Sequence, residues 1–246
     1  MPTDIERLPE KIKKNPHWRV NFRPTSHKTR FENPNTAFNL IQQGQLNLRG
    51  WPYPFISDER REQIRAQKYI ASGSDFEGFV EYWRIYYSGQ FINLFTVREK
   101  MNQSWDEKLR KEASQLMFRP ADMNAADIPG FINIINLLYH LTEIFEFAAR
   151  LCSKKLYDTS LEITVELHNV KGFALIAEFP RHWSGYYPAT ADAITKSVIF
   201  ESEQLLARSA EFALDWSVYF FSLFGWDNPP IDFLKGDQQK FLSGKI

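Results

Sequence analysis

Apolar and polar positions along the chain fall into blocks of distinct period. "WRVNFRP" (18–24) sets Trp18, Val20 and Phe22 against Arg19, Asn21 and Arg23, the period of a half-buried strand, and Pro24 ends it. "NPNTAFNLIQQGQ" reads as a short helix entered near Pro34, capped by Asn35 or Thr36 and closed at Gly44. Leu46 and Leu48 start a second strand that Gly50 and Pro52 cut short.

"EYWRIYYSGQFINLFTV" (81–97) is the clearest local signal. Two aromatic, β-branched runs flank Ser88-Gly89, which predicts a hairpin with a two-residue turn. That turn pairs Tyr87 with Gln90, Ile85 with Ile92 and Trp83 with Leu94 on a core face. The other face then carries Tyr82, Arg84 and Tyr86 opposite Phe95, Asn93 and Phe91. An Arg84–Asn93 pair framed by rings either finds internal partners or presents a docking place for a planar or anionic group.

Residues 98–128 are charged and predict a helix followed by a loop. From 129 to 155 apolar residues recur at helical spacing all round, the mark of a central buried helix near 130–152. One narrow polar stripe remains on it: Asn133, Asn136, His140, Glu143 and Arg150. "LEITVELHNVKGFALIAEF" (161–179) alternates like a second hairpin turning near "NVKG", with Glu162, Thr164, Glu166 and His168 on its polar side. "ITKSVIFES" supplies a further strand, 203–224 an amphipathic helix, and "IDFLKGDQQKFL" a last short helix. The expected fold class is α+β: an antiparallel or mixed sheet, built from two hairpins plus further strands, packed against long helices near 130–152 and 203–224. Residues 1–16, charged and broken by prolines, are expected to be a flexible tail, and 17–246 a single globular domain with halves at 17–128 and 129–246.

Composition narrows the function classes. Lys and Arg total 30, as do Asp and Glu, so no net field steers the chain onto nucleic acid, although 1–35 carries a local basic excess. Nucleic acid is therefore not favoured as a partner. Aromatic residues reach 15 %, more than a core alone requires. A single cysteine, Cys152, excludes an internal disulfide and suits a reducing compartment. With neither an apolar signal segment nor a membrane-spanning run, the expectation is a cytoplasmic protein with no membrane role.

Two loops concentrate candidate chemistry. "LNLRGWPYPF" holds Arg49, Trp51, Tyr53 and Pro54, and "PRHWSGYYP" holds Arg181, Trp183, Tyr186 and Pro188. Their likeness raises a pseudo-repeat of the two halves. Trp and Tyr offer stacking faces, and the arginines offer forked donors for phosphate or carboxylate. The expected ligand-binding set is Arg49, Trp51, Tyr53, Tyr82, Arg84, Tyr86, Asn93, Arg181 and Trp183. The same residues also suit turn staples with arginines paired internally. Catalytic templates fail: no phosphate loop, no GxGxxG, no GxSxG and no Cys/His ligand pairs, so neither cofactor nor metal is expected. An alternative catalytic set is Glu162, Glu166, His168 and Glu178, carboxylates that could hold a divalent ion for phosphodiester cleavage. Against it, no lysine follows a strand glutamate by two residues, and a solvated strand face explains the pattern better. His140 and Glu143, one helical turn apart, are a weaker acid/base pair.

At "LNLRGWPYPF" and "EYWRIYYSGQFINLF" the chain resembles an uncharacterised bacterial domain family with an RGWxYP loop and a WRxYxSGQF hairpin, some members of which stand beside Schlafen-type DNA-binding or nucleotide-binding modules. The matching positions are Arg49, Gly50, Trp51, Tyr53, Pro54, Trp83, Arg84, Tyr86, Ser88, Gly89, Gln90 and Phe91. Pro52 departs from the acidic residue the resemblance implies there. The resemblance implies membership and assigns no catalytic residue. The function expected from these features is a non-enzymatic sensing or interaction module. Its aromatic and arginine surface would take a small anionic or nucleotide-like ligand, or a protein partner.

Overall fold

The computed structural model describes residues 4–26, 28–56, 63–76, 79–114, 125–177 and 185–245. A short 3-10 turn, Ile5–Arg7, leads into α1 (Leu8–Lys13), β1 (His17–Pro24) and α2 (Pro34–Gly44). There follow β2 (Gln63–Arg65), β3 (Tyr69–Phe76), β4 (Phe79–Tyr86), β5 (Phe91–Thr96), α3 (Arg98–Met101) and α4 (Gln103–Ser114). The second half holds β6 (Phe131–Asn133), α5 (Ile134–Ser153), β7 (Ser160–His168), β8 (Ala174–Ile176), β9 (Ala193–Glu201), α6 (Ser202–Leu223) and α7 (Ile231–Leu242). Among the described residues, seven strands form one antiparallel sheet in the order β2-β3-β4-β5-β1-β7-β9, and β6 and β8 form a separate parallel pair. The fold is α+β, as the patterning predicts.

Strand phase decides what each sheet face does. Trp18, Val20 and Phe22 of β1, Trp83 and Ile85 of β4, and Phe91 and Phe95 of β5 join Ile163, Val165 and Leu167 of β7 on one face, under α5 and α6. Trp83 and Phe91 are completely enclosed, and burying one such ring is worth about 1.5–3 kcal/mol. On the opposite face Tyr82 and Leu94 pack beneath α1. There is room for α1 because β3 carries Gly73, where a Cβ would come within 2.8 Å of Leu8 Cδ1.

Helix ends follow local chemistry. Asn33 caps α2, its Oδ1 accepting from Thr36 N–H at 3.0 Å, so the cap lies two residues before the expected Asn35. Asn133 caps α5 in the same way, through Asn136 N–H at 2.9 Å. No helix among the described residues is long and apolar enough to cross a membrane.

Several expectations are corrected. The β4–β5 turn is a three-residue loop, Tyr87–Gly89, closed by Tyr86 N–H to Gln90 O (2.8 Å) and Gly89 N–H to Tyr86 O (2.8 Å), with Gly89 at φ +89°. The extra loop residue shifts the register by one. Trp83 therefore faces Asn93, Arg84 faces Ile92 and Tyr82 faces Leu94. A one-residue slip exchanges the faces, so Asn93 lies on the core side and Arg84 on the other. The 161–179 hairpin does not form: β7 pairs with β1 and β9, while β8 runs parallel to β6. Leu46 and Leu48 make no strand; Leu46 forms an isolated bridge with Tyr53. The expected tail is helical from Ile5 to Lys13 and anchored by Ile5, Leu8 and Ile12, all buried. Among the described residues the two halves repeat no topology, since 17–128 supplies β1–β5 of the main sheet and 129–246 only β7 and β9.

Candidate functional site

The sheet separates two polar assemblies. On the helix side, the loop after α2 turns at Gly50 (φ +76°) and delivers Arg49 to the polar stripe of α5. Asn136, His140 and Glu143 stand at i, i+4 and i+7, one helical face, and all accept from one guanidinium. Arg49 Nε donates to Glu143 Oε1 (3.1 Å), and Nη2 donates to Glu143 Oε2 (2.6 Å) and to His140 Nδ1 (2.7 Å). Nη1 donates to Asn136 Oδ1. The pair is enclosed, its side chains 13 % and 2 % exposed. Burial, then the charges of Arg49 and Arg98, hold His140 well below the ordinary imidazole range, so it accepts as a neutral ring. Burial also pushes Glu143 up, opposed by Arg49.

Glu81 lies nearby, accepting from Phe55 N–H (3.2 Å) and Asn93 Nδ2 (3.0 Å). Burial pushes its carboxyl up to about 7, against those hydrogen bonds. The Trp51 indole N–H adds a weak pull without reaching hydrogen-bond geometry, and Tyr53 Oη is likewise buried without a partner. Trp51 stacks on Phe55 at 4.9 Å. The cavity these groups share measures about 10 Å³, the scale of one water molecule and too small for an organic ligand. This assembly fastens the 46–55 loop to α5; it is no docking surface.

The opposite face offers space. A concavity of about 530 Å³ opens between α1 and strands β4, β5, β1 and β7, within the usual size of ligand pockets. Lys13, Arg19 and Arg84 line it with a single carboxylate, Glu166, together with Tyr82, His17 and His168. Strand phase puts them there: Arg19 stands opposite both Leu94 and Glu166, and His17 opposite His168. The imidazoles of His17 and His168 stack 5.0 Å apart, 15° from parallel. His17 Nδ1 bonds to Asn15 O at 2.8 Å, and His168 Nε2 to Glu166 Oε2 at 3.1 Å. Arg19 Nη1 donates to Glu166 Oε2 at 2.5 Å. Burial works upward on Glu166, but hydrogen bonds from Arg19 and His168 outweigh it and hold the carboxyl below its usual value.

Arg84 is unlike its neighbours. Its guanidinium lies 5.0 Å from the Tyr86 ring centroid and 6.0 Å from that of Tyr69. Nε is buried with no hydrogen-bond partner, and no carboxylate is within salt-bridge distance among the described residues. Burial pushes Tyr82 beside it up to about 12, with Arg84 pulling the other way.

The structure thus divides the expected ligand-binding set. Tyr82 and Arg84 line the concavity, with Tyr86 stacked behind. Arg49, Trp51, Tyr53 and Asn93 belong to the enclosed assembly across the sheet. Arg181, Trp183 and Glu178 lie outside the described residues. Glu166 and His168, the alternative catalytic residues, stand in the same concavity as Arg84, while Glu162 pairs with Arg23 at 2.6 Å. No group of three or more His, Cys, Asp or Glu among the described residues could hold a metal ion. Sequence reasoning missed Lys13, His17 and Arg19. The polar phase of β1 held the signal for His17 and Arg19, but which strand it would meet was not readable.

Fold and site together define an α+β protein with a cation-rich concavity on one face of its sheet. No protein-family model, curated protein or solved structure matches the chain.

Proposed function

We propose that the protein is a non-enzymatic binding module for a small anionic, nucleotide-like ligand held in the outer concavity. The observation that carries this reading is Arg84: a half-buried guanidinium among tyrosine rings, with an unpartnered Nε and, among the described residues, no carboxylate within salt-bridge distance. A buried donor without an acceptor is costly, and a planar anion offsets that cost. Lys13 and Arg19 add positive charge on the far side, and the tyrosine rings support a planar group. Metal-assisted phosphodiester cleavage is less well supported, because Glu162 and Glu166 already pair with Arg23 and Arg19.

The test is calorimetric titration with AMP, inorganic pyrophosphate and adenosine. The phosphorylated compounds bind and adenosine does not, and Arg84→Gln weakens AMP binding by about tenfold or more, the scale of a charged hydrogen bond. Equal affinity of the wild type and the Arg84→Gln variant sinks the reading.

A further inference from the structure

Resting on that reading, we propose that His17, stacked on His168, makes the concavity selective for phosphate monoesters: a dianionic phosphate draws one proton from solvent onto the His17 ring, which a singly charged diester does not.

The geometry sets up the linkage. His17 uses Nδ1 on a backbone carbonyl and His168 uses Nε2 on Glu166. In the neutral His17 ring Nδ1 carries the proton, so Nε2 is bare, an acceptor that repels phosphate oxygen. Adding a proton turns it into a donor. Parallel stacking at 5.0 Å leaves no distance over which two imidazolium charges could both be tolerated.

The surrounding groups decide when that proton arrives. From α1 comes Lys13, from β1 Arg19, from β4 Arg84 and Tyr82, and from β7 Glu166; β5 presents only Ile92 and Leu94. Glu166 is shared between Arg19 and His168. The cations therefore outweigh the one acid and oppose a charge on His17 without ligand. Consistent with this, burial first, then neighbouring positive charge, lowers His17, against the Asn15 hydrogen bond and the Glu166 carboxylate. A phosphate monoester carries close to two negative charges near pH 7. Its second charge reverses the local balance and makes an imidazolium favourable. The proton comes from the buffer, no covalent bond changes, and the complex keeps the ligand intact.

The experiment is titration of the full chain with AMP and with cyclic AMP in buffers of different ionisation enthalpy, between about pH 6.5 and about pH 8.5. AMP binding should take up about one proton near pH 7.5, and its affinity should fall toward tenfold per pH unit on the alkaline side. Cyclic AMP should bind more weakly, with an enthalpy independent of buffer. His17→Gln should remove the proton uptake while AMP still binds, and His168→Gln, which leaves His17 in place, should keep it. The wild-type buffer series needs no variant to fold. Buffer-independent, pH-independent AMP binding overturns this inference and leaves the binding module standing. Failure of every anion to bind at any pH overturns the module itself.

Discussion

Arg49 and Glu143 meet in two parallel hydrogen bonds inside the protein, joining the loop after α2 to the middle of α5 across ninety-four residues of chain. Both side chains are nearly sealed, and neither can lose its partner without leaving a charge in a poorly polarisable interior. Arg49→Ala should therefore destabilise the fold by about 3–5 kcal/mol. Denaturant unfolding measures it. AMP affinity of the surviving folded fraction should be unchanged, because Arg49 lies across the sheet from the concavity.

Glu81 makes stability depend on pH. Its carboxyl stands at about 7 in the fold against an ordinary 4.5. An acid raised on folding stabilises the native state below its unfolded value and loses that contribution as pH rises through the folded value. This group therefore lowers stability progressively between pH 4.5 and about 7. Glu81→Gln keeps an acceptor for Phe55 N–H and Asn93 Nδ2 and removes the titration. Its melting temperature should exceed the wild type's at about pH 8 and converge with it at about pH 4.5, in a comparison of thermal melts.

Gly73 is required where β3 passes under α1. An added Cβ would collide with the Glu81 carbonyl oxygen and crowd Leu8. Gly73→Ala should cost about 1–3 kcal/mol, the range for overpacking, and should raise amide exchange in α1 before the rest of the sheet. Hydrogen exchange resolved by segment reads that order.

Leu8 tests whether α1 belongs to the domain. It is buried with Ile5 and Ile12 against Tyr82 and Leu94. Leu8→Ala should destabilise by about 2 kcal/mol or more, where a solvated tail would give almost nothing. It should also weaken AMP binding, because α1 carries Lys13 to the rim of the concavity.

Cys152, on the enclosed side of α5, should resist alkylation in the native state. Burial pushes its thiol up to about 11, so little thiolate exists near pH 7. Labelling with iodoacetamide should proceed only on unfolding, at the rate of global opening.

Alternation along β1, β4, β5 and β7, and the helical spacing of 134–153, were legible because side-chain direction follows backbone period, a local property. The polar stripe of α5 and the Arg49 loop were each visible too, but not their meeting. That requires knowing that the loop closes through Leu46 and Tyr53 and crosses to the helix. The β4–β5 register turned on one residue of loop length, and Gly89 permits the longer turn. That residue moved Asn93 away from Arg84 and into the Glu81 assembly.

By itself the sequence determined the class of fold, the buried helices and which side chains share a strand face, since propensity and period act over a few residues. Only the tertiary structure decided that β1 lies between β5 and β7, bringing His17 and Arg19 against Glu166 and His168. Strand order depends on which distant surfaces fit together once loop entropy is spent, and no local pattern records it. The same assembly enclosed one arginine with an acid and left the other half-buried among tyrosine rings.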